Sequence, residues 1–136
     1  MISVKEKVRF AETDMLGVVH HSNYFRWFEI ARVEYLKKAG IELLSLIADD
    51  ILFPITEATC NYIAPAKFGD DILIEAELKE VSKVKMIFTY KVIRENDGVV
   101  LATAQTQNVF TTSDKGVTRL PEKYYHKLAE SFAQLA

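Results

Sequence analysis

The sequence predicts an α+β domain in which an antiparallel sheet curls around one long helix, and three observations carry that expectation. Two stretches alternate with a period of two: Ile72, Ile74, Ala76 and Leu78 oppose Glu75, Glu77 and Lys79, and Val84, Met86, Phe88, Tyr90 and Val92 oppose Lys85, Thr89 and Lys91. From Asn23 to Ala39 the apolar residues recur at helical spacing instead. Asn96-Asp97-Gly98 is a hairpin signal that joins the second alternating stretch to a third, Val99–Thr112.

The elements follow in chain order. Ile2, Val4, Val8 and Phe10 interleave with Lys5, Lys7 and Arg9, the pattern of a half-buried strand. Residues 11–23 break both periodicities and read as a loop. In the helix, Phe25, Phe28, Ala31 or Arg32, Tyr35 and Leu36 form one stripe, and Trp27, Ile30 and Val33 widen it. Arg26, Glu29, Arg32, Glu34, Lys37 and Lys38 are left for the wet side, with Glu29 and Arg32 spaced to pair. Seventeen residues make a rod of about 25 Å that needs wrapping on most sides. Ser22 or Asn23 can cap its start, and Lys37, Lys38 and Gly40 suit its end.

A short amphipathic piece near Ile41–Ala48 precedes the strands, the first of them centred on Cys60. Pro65 through Asp71 is the turn from that strand to the one centred on Ile74. A strand near Gly116–Arg119 is expected, after which Pro121 opens a last helix with Tyr124, Leu128, Phe132 and Leu135 on one side.

The chain has 136 residues, the size of one domain, 1–136, able to bury a core without staples. Seventeen basic against nineteen acidic residues give a net charge of -2, which argues against bulk attraction to nucleic acid or anionic membrane. One cysteine, Cys60, allows no internal disulfide. The longest strictly apolar run, Val99 to Ala102, is far short of the roughly 20 residues that span a bilayer. A cytoplasmic location without a membrane span is expected.

The loop before the helix holds the residues that can carry chemistry: Asp14, Gly17, His20, His21, Asn23 and Tyr24 fall within eleven positions. A helix N-terminus presents unpaired N–H groups and partial positive charge, and Gly17 lets the chain turn tightly into it. A carboxylate beside an anion-stabilising helix end suits acyl transfer, with the N–H groups holding an oxyanion while the carboxylate attacks or activates water. The bland alternative is that Asp14 caps a turn and the histidines line a wet loop.

The run D-x-x-G-V-V-x-H-x-N-Y-F followed by E-x-A-R, with Tyr62-x-x-Pro65-Ala66 and Gly69-Asp70 as a second segment, resembles the hotdog-fold acyl-CoA thioesterases. Within them it is similar to the 4-hydroxybenzoyl-CoA thioesterase-like family and its short-acyl-CoA subgroup. The resemblance implies a hotdog fold, a sheet wrapped around one long buried helix, and hydrolysis of a thioester to a carboxylic acid and free CoA. It places the catalytic aspartate at Asp14, as nucleophile or general base, and the subgroup's histidine at His21, whose backbone N–H is the oxyanion donor. Gly17 and Val18 would shape the turn, and Asn23 and Tyr24 would fix the helix entrance. Phe10 stands where some short-acyl members have tyrosine.

The resemblance also implies a homo-oligomer, dimeric or tetrameric, acting on coenzyme A or acyl carrier protein thioesters; a homotetramer built from dimers is expected, with no cofactor and no metal. Of the basic residues that could meet the nucleotide end, Lys83 and Lys85 are the candidates. Adjacent His20 and His21 diverge too much for a metal site, and no Cys/His/Asp cluster has ligand spacing. Cys60 reads as packing, Glu57 as a solvent-facing carboxylate, and no serine-hydrolase elbow or phosphate loop is present. Two other classes remain, a non-hydrolytic acyl-CoA or acyl carrier protein binder and a dehydratase. The second lacks a helix histidine ahead of Glu29 and Glu34.

Overall fold

The computed structural model describes residues 1–114 and 116–134. Strand β1 (Ile2–Lys7) leads through a single 3-10 turn (Phe10–Glu12) and a loop into helix α1 (Ser22–Lys38). The short α2 (Leu43–Ala48) follows, then β2 (Ile55–Tyr62), β3 (Asp71–Val81), β4 (Lys85–Arg94), β5 (Val100–Val109) and the final helix α3 (Glu122–Gln134). The five strands form one antiparallel sheet in the order β1-β3-β4-β5-β2. This is the hotdog arrangement, an α+β fold with α1 laid against the sheet.

Alternation sets which sheet face meets the helix. Ile72, Ile74, Ala76 and Leu78 of β3 and Met86, Phe88, Tyr90 and Val92 of β4 are all buried, and register pairs Ala76 with Tyr90 and Leu78 with Phe88. Phe28 stacks on Tyr90 with ring centroids 4.6 Å apart, and Tyr35 meets Phe88 edge-on at 5.1 Å. Both aromatic contacts sit at the centre of the core, where truncating Phe28 to alanine would cost about 3–5 kcal/mol. Asp97 forms the β4–β5 turn, accepting from Arg94 and from the Val99 N–H, and Gly98 takes a φ of +74°.

Helix α1 is wrapped on one broad side, not on most of its circumference. Its buried positions are Asn23, Tyr24, Trp27, Phe28, Ala31, Arg32, Tyr35 and Leu36, adjacent pairs repeating every four residues. Ile30 points away from the sheet and is exposed, because a five-stranded sheet reaches only one face of the rod. Arg32, expected on the wet side, is buried instead, and it does not pair with Glu29: one guanidinium N–H donates to the Tyr90 hydroxyl at 3.0 Å. That hydroxyl is also bonded to Thr106 at 2.7 Å, so the cation ends in a neutral chain of side chains.

Other expectations need correction. β1 ends at Lys7, and Phe10, outside the strand, is exposed. Pro65–Asp71 is no simple turn, since β2 and β3 are separated by β5 and β4 and the segment 63–70 must cross the end of the sheet. Around Gly116–Arg119 no extended strand forms among the described residues; Val117 makes one bridge to Thr111. In α3, Tyr124 and Leu128 are buried but Phe132 is partly exposed, and Ser131 takes the inner position, bonded to the Tyr35 hydroxyl at 3.0 Å. Leu135 lies outside the described residues. Among the described residues no helix is long and apolar enough to cross a membrane.

Candidate active site

Three segments meet at the end of the sheet where β1 finishes and β3 begins: the loop 8–21, the first turn of α1 and the crossover 63–70. Backbone bonds lock them together. Val8 N–H donates to Asp70 O at 2.9 Å, Gly69 N–H to Val8 O at 3.1 Å, and Val19 N–H to Ala66 O at 2.8 Å. The crossover therefore acts as a brace across the loop.

Within the loop, Asp14 N–H donates to Val18 O at 2.8 Å and Gly17 N–H returns to Asp14 O at 3.1 Å. The turn thus closed requires a φ of +80° at Gly17, which glycine adopts without strain. The side chain of Asp14 is exposed, and its Oδ1 accepts the Leu16 N–H at 2.8 Å. That bond orients the carboxylate and leaves Oδ2 free among the described residues. Val18, half-buried, also bridges to Lys67 of the crossover.

Glu12, which the sequence reading did not single out, organises the loop. It is 5% exposed, and its carboxylate accepts from the Arg9 N–H at 2.7 Å and from the Trp27 indole N–H at 3.0 Å. Its backbone carbonyl accepts from His20 N–H and from Asn23 Nδ2, both at 2.9 Å. A glutamate two residues before the aspartate was the available signal, but nothing local marks it as buried. The partner that buries it, Trp27, lies fifteen positions on.

Helix α1 begins at Ser22, with His21 at the N-cap position and no capping bond from the His21 side chain. Ser22 and Asn23 do not cap it either: Asn23 reaches back to Glu12, and the Ser22 hydroxyl bonds His20 Nδ1 at 2.8 Å. The first N–H groups are taken up locally, Ser22 by His20 Nδ1, Asn23 by His20 O and Tyr24 by His21 O. Among the described residues the His21 N–H has no acceptor. It is the donor that this helix end leaves for a ligand.

Asp14, His20, His21, Tyr24, Tyr62 and Pro65 line one cleft of about 330 Å³. The structure thus brings together Asp14, Val18, His21 and Tyr24 with His20, and the two histidines do not diverge as expected, their rings lying against each other at 4.2 Å. Tyr62 closes one side: its hydroxyl donates to His21 O at 3.2 Å, and its ring meets Tyr24 edge-on at 5.0 Å. Desolvation, then the neighbouring Cys60 thiol and Tyr24 phenol, push Tyr62 up to about 12. Burial also raises Tyr24, so both phenols hold their protons and Tyr62 serves as a donor. Burial likewise pushes the Cys60 thiol up, the wrong direction for a nucleophile.

Lys83 and Lys85 are not brought to this cleft. They lie at the far end of β4, about 30 Å along the sheet from Arg94, and pair with Glu122 at 3.4 Å and Glu80 at 4.0 Å. Two other basic residues lie beside the site: Lys67, whose backbone bridges to Val18, and Arg94, which reaches Pro65 O at 3.4 Å while bound to Asp97. Glu57 is exposed on the edge strand, five residues before Tyr62. Among the described residues no three His, Cys, Asp or Glu side chains come together as a metal-holding group.

The arrangement is a free carboxylate oxygen and a free backbone donor on the walls of one cleft, equipped to attack a carbonyl and hold the charge that develops on its oxygen. The acyl-CoA thioester hydrolase YbgC of Escherichia coli O6:H1 is 30% identical over 87 residues, 64% of this chain and 65% of that protein. The structure of TT1821 from Thermus thermophilus matches with a TM-score of 0.89 at 38% identity, covering 94% of this chain and 97% of that one. The gentisyl-coenzyme A thioesterase BH1999 matches with a TM-score of 0.82 at 30% identity, covering 89% and 97%. A model of the thioesterase-like superfamily matches residues 8–128, and the chain belongs to that superfamily.

Proposed function

We propose that the protein is an acyl-CoA thioesterase, converting acyl-S-CoA and water to a carboxylic acid and free CoA. One observation carries the reading: Asp14 and His21, whose backbone N–H has no acceptor among the described residues, line the same cleft at the start of α1, in a chain of the thioesterase-like superfamily. The thioester carbonyl oxygen accepts the His21 N–H and is polarised. Asp14 Oδ2 then attacks the carbonyl carbon, or takes a proton from the water that does. The C–S bond breaks and the thiolate of CoA leaves. Attack by the carboxylate forms an anhydride that water hydrolyses, and both routes end at the same acid. Gly17 and Val18 hold the turn that presents Asp14, while Asn23 and Tyr24 hold the helix entrance.

The working unit in this reading is a cytoplasmic homo-oligomer, a tetramer built from dimers. Support comes from β2, an edge strand exposed at every position but Cys60, which offers its outer backbone groups to a second copy. Tyr62 ends that strand and lines the cleft, so pairing along β2 brings the second chain next to the substrate. Thiol release from a panel of acyl-CoAs tests the activity. Absence of release from every ester would replace hydrolysis with binding, and hydration of crotonyl-CoA would indicate a dehydratase.

A further inference from the structure

Asp14 stands on a ridge between two clefts. One is the mixed cleft where His20, His21 and Tyr62 stand among Val18, Ile63 and Pro65; the other is a broader open groove of about 840 Å³ walled by Phe10, Ala11, Met15 and Phe68. We infer that this second groove is the acyl subsite, and that it selects uncharged, apolar acyl groups of medium length over acetyl and dicarboxylic ones. The inference rests on the thioesterase reading and adds the substrate class to it.

The chemistry of the two arms of a thioester assigns them to the two sides. The pantetheine arm carries amides that need hydrogen-bond partners, which the first cleft offers through His20, His21 and the Tyr62 hydroxyl. The acyl arm needs none, and among the described residues Asp14 is the only charged side chain in the lining of the groove. A terminal carboxylate laid there would lose its hydration and gain no cation.

The groove is partly preformed. Phe10 and Phe68 come from different segments and meet edge-on with ring centroids 5.7 Å apart, next to the Gly69–Val8 backbone bond. Met15 projects freely at the turn tip, a flexible thioether that can fold over chains of different shape. In the free protein these side chains keep large apolar surfaces in water: Phe10 is 77% exposed, Met15 fully and Phe68 60%. Covering them with an acyl chain whose reacting carbon lies at Asp14 removes that exposure where binding aids the reaction.

The test is kcat/KM by thiol release for acetyl-, hexanoyl-, decanoyl-, benzoyl- and succinyl-CoA, with the wild-type protein, Phe68→Ala and Met15→Gln. Both substitutions fall on exposed side chains and leave the core untouched. The expected result is a wild-type preference for hexanoyl, decanoyl or benzoyl over acetyl and succinyl, and a decanoyl-to-acetyl ratio that drops about ten-fold in Phe68→Ala. Equal losses on every ester would mean the groove holds the CoA arm or only shapes the loop. An unchanged ratio, or succinyl-CoA turned over as fast as decanoyl-CoA, would overturn the assignment as well. So would a drop in oligomer mass by light scattering in Phe68→Ala, which would make the patch a subunit contact. A wild-type protein that releases no thiol from any ester would sink the thioesterase reading itself, a result distinct from turnover without discrimination.

Discussion

The indole N–H of Trp27 donates to the carboxylate of Glu12 at 3.0 Å, tying the buried face of α1 to the loop two residues before Asp14. Because the same glutamate accepts the Arg9 N–H, and its carbonyl accepts from His20 and Asn23, the position of Asp14 relative to the helix start depends on one buried carboxylate.

Glu12→Gln keeps the size of that side chain but can accept only one of its two donors, turning its amide N–H groups toward the other. Leaving a buried donor unmatched costs about 1–3 kcal/mol. Urea unfolding should show a loss of that order, and kcat for the preferred acyl-CoA should fall with little change in KM. Wild-type stability in Glu12→Gln would show that the carboxylate organises nothing.

Gly17→Ala isolates the backbone. A Cβ at this position meets nothing within 4 Å, so the expected loss of about 1–2 kcal/mol comes from the positive φ alone. Activity should drop further than stability, since the turn closed by Gly17 carries Asp14. Thermal unfolding and thiol release on the same sample separate the two.

Arg32 predicts the opposite sign. Its Nε is buried without a partner and no carboxylate pairs with it among the described residues, so the charge is desolvated for one bond to a phenol. Even buried ion pairs are often replaced by apolar side chains of similar volume at no loss or with a gain of about 1–4 kcal/mol, and a cation without a counter-charge has less attraction to lose. Arg32→Met should therefore unfold at equal or higher urea concentration, with Tyr90 still bonded to Thr106. A large destabilisation would mean the guanidinium is matched by an anion in the assembled protein.

Asp49 gives a pH signature. The Tyr124 hydroxyl, at 2.6 Å, and the Lys123 ammonium, at 2.9 Å, hold its carboxyl below the ordinary carboxylate range. A lowered folded-state value contributes stability that is fully present above the unfolded value and lost as pH falls through the folded one. Asp49→Asn should melt below wild type at neutral pH, with a constant gap down to about pH 4 that then closes. A gap independent of pH would remove the charged contact between α2 and α3 from the account.

Much of this molecule was legible from periodicity. The alternation at 72–78 and 86–92 named the residues that face α1, because a strand buried on one face leaves a period of two, whereas Val84, read onto the same face, precedes β4 and is exposed. The Asn96-Asp97-Gly98 turn was readable because its geometry is local. Arg32 was misplaced because the side that is wet depends on where the sheet reaches, and a stripe widened by Ile30 and Val33 hides it. The crossover at 63–70 read as a turn because sequence order does not reveal that β5 and β4 lie between β2 and β3. In the site, Asp14, Gly17 and His21 stood out through one dense loop. Glu12 and Tyr62 join only through contacts made at a distance, and Lys83 and Lys85 drop out because they lie at the other end of the sheet.

The most direct measurement is thiol release from the preferred acyl-CoA by wild type and Asp14→Asn, each shown to have the same melting temperature. Asparagine keeps the shape and the acceptor for the Leu16 N–H but removes the charge that attacks the carbonyl or activates water. The account predicts a folded variant with kcat lowered about a thousand-fold. An Asp14→Asn protein that hydrolyses the ester at the wild-type rate would contradict it.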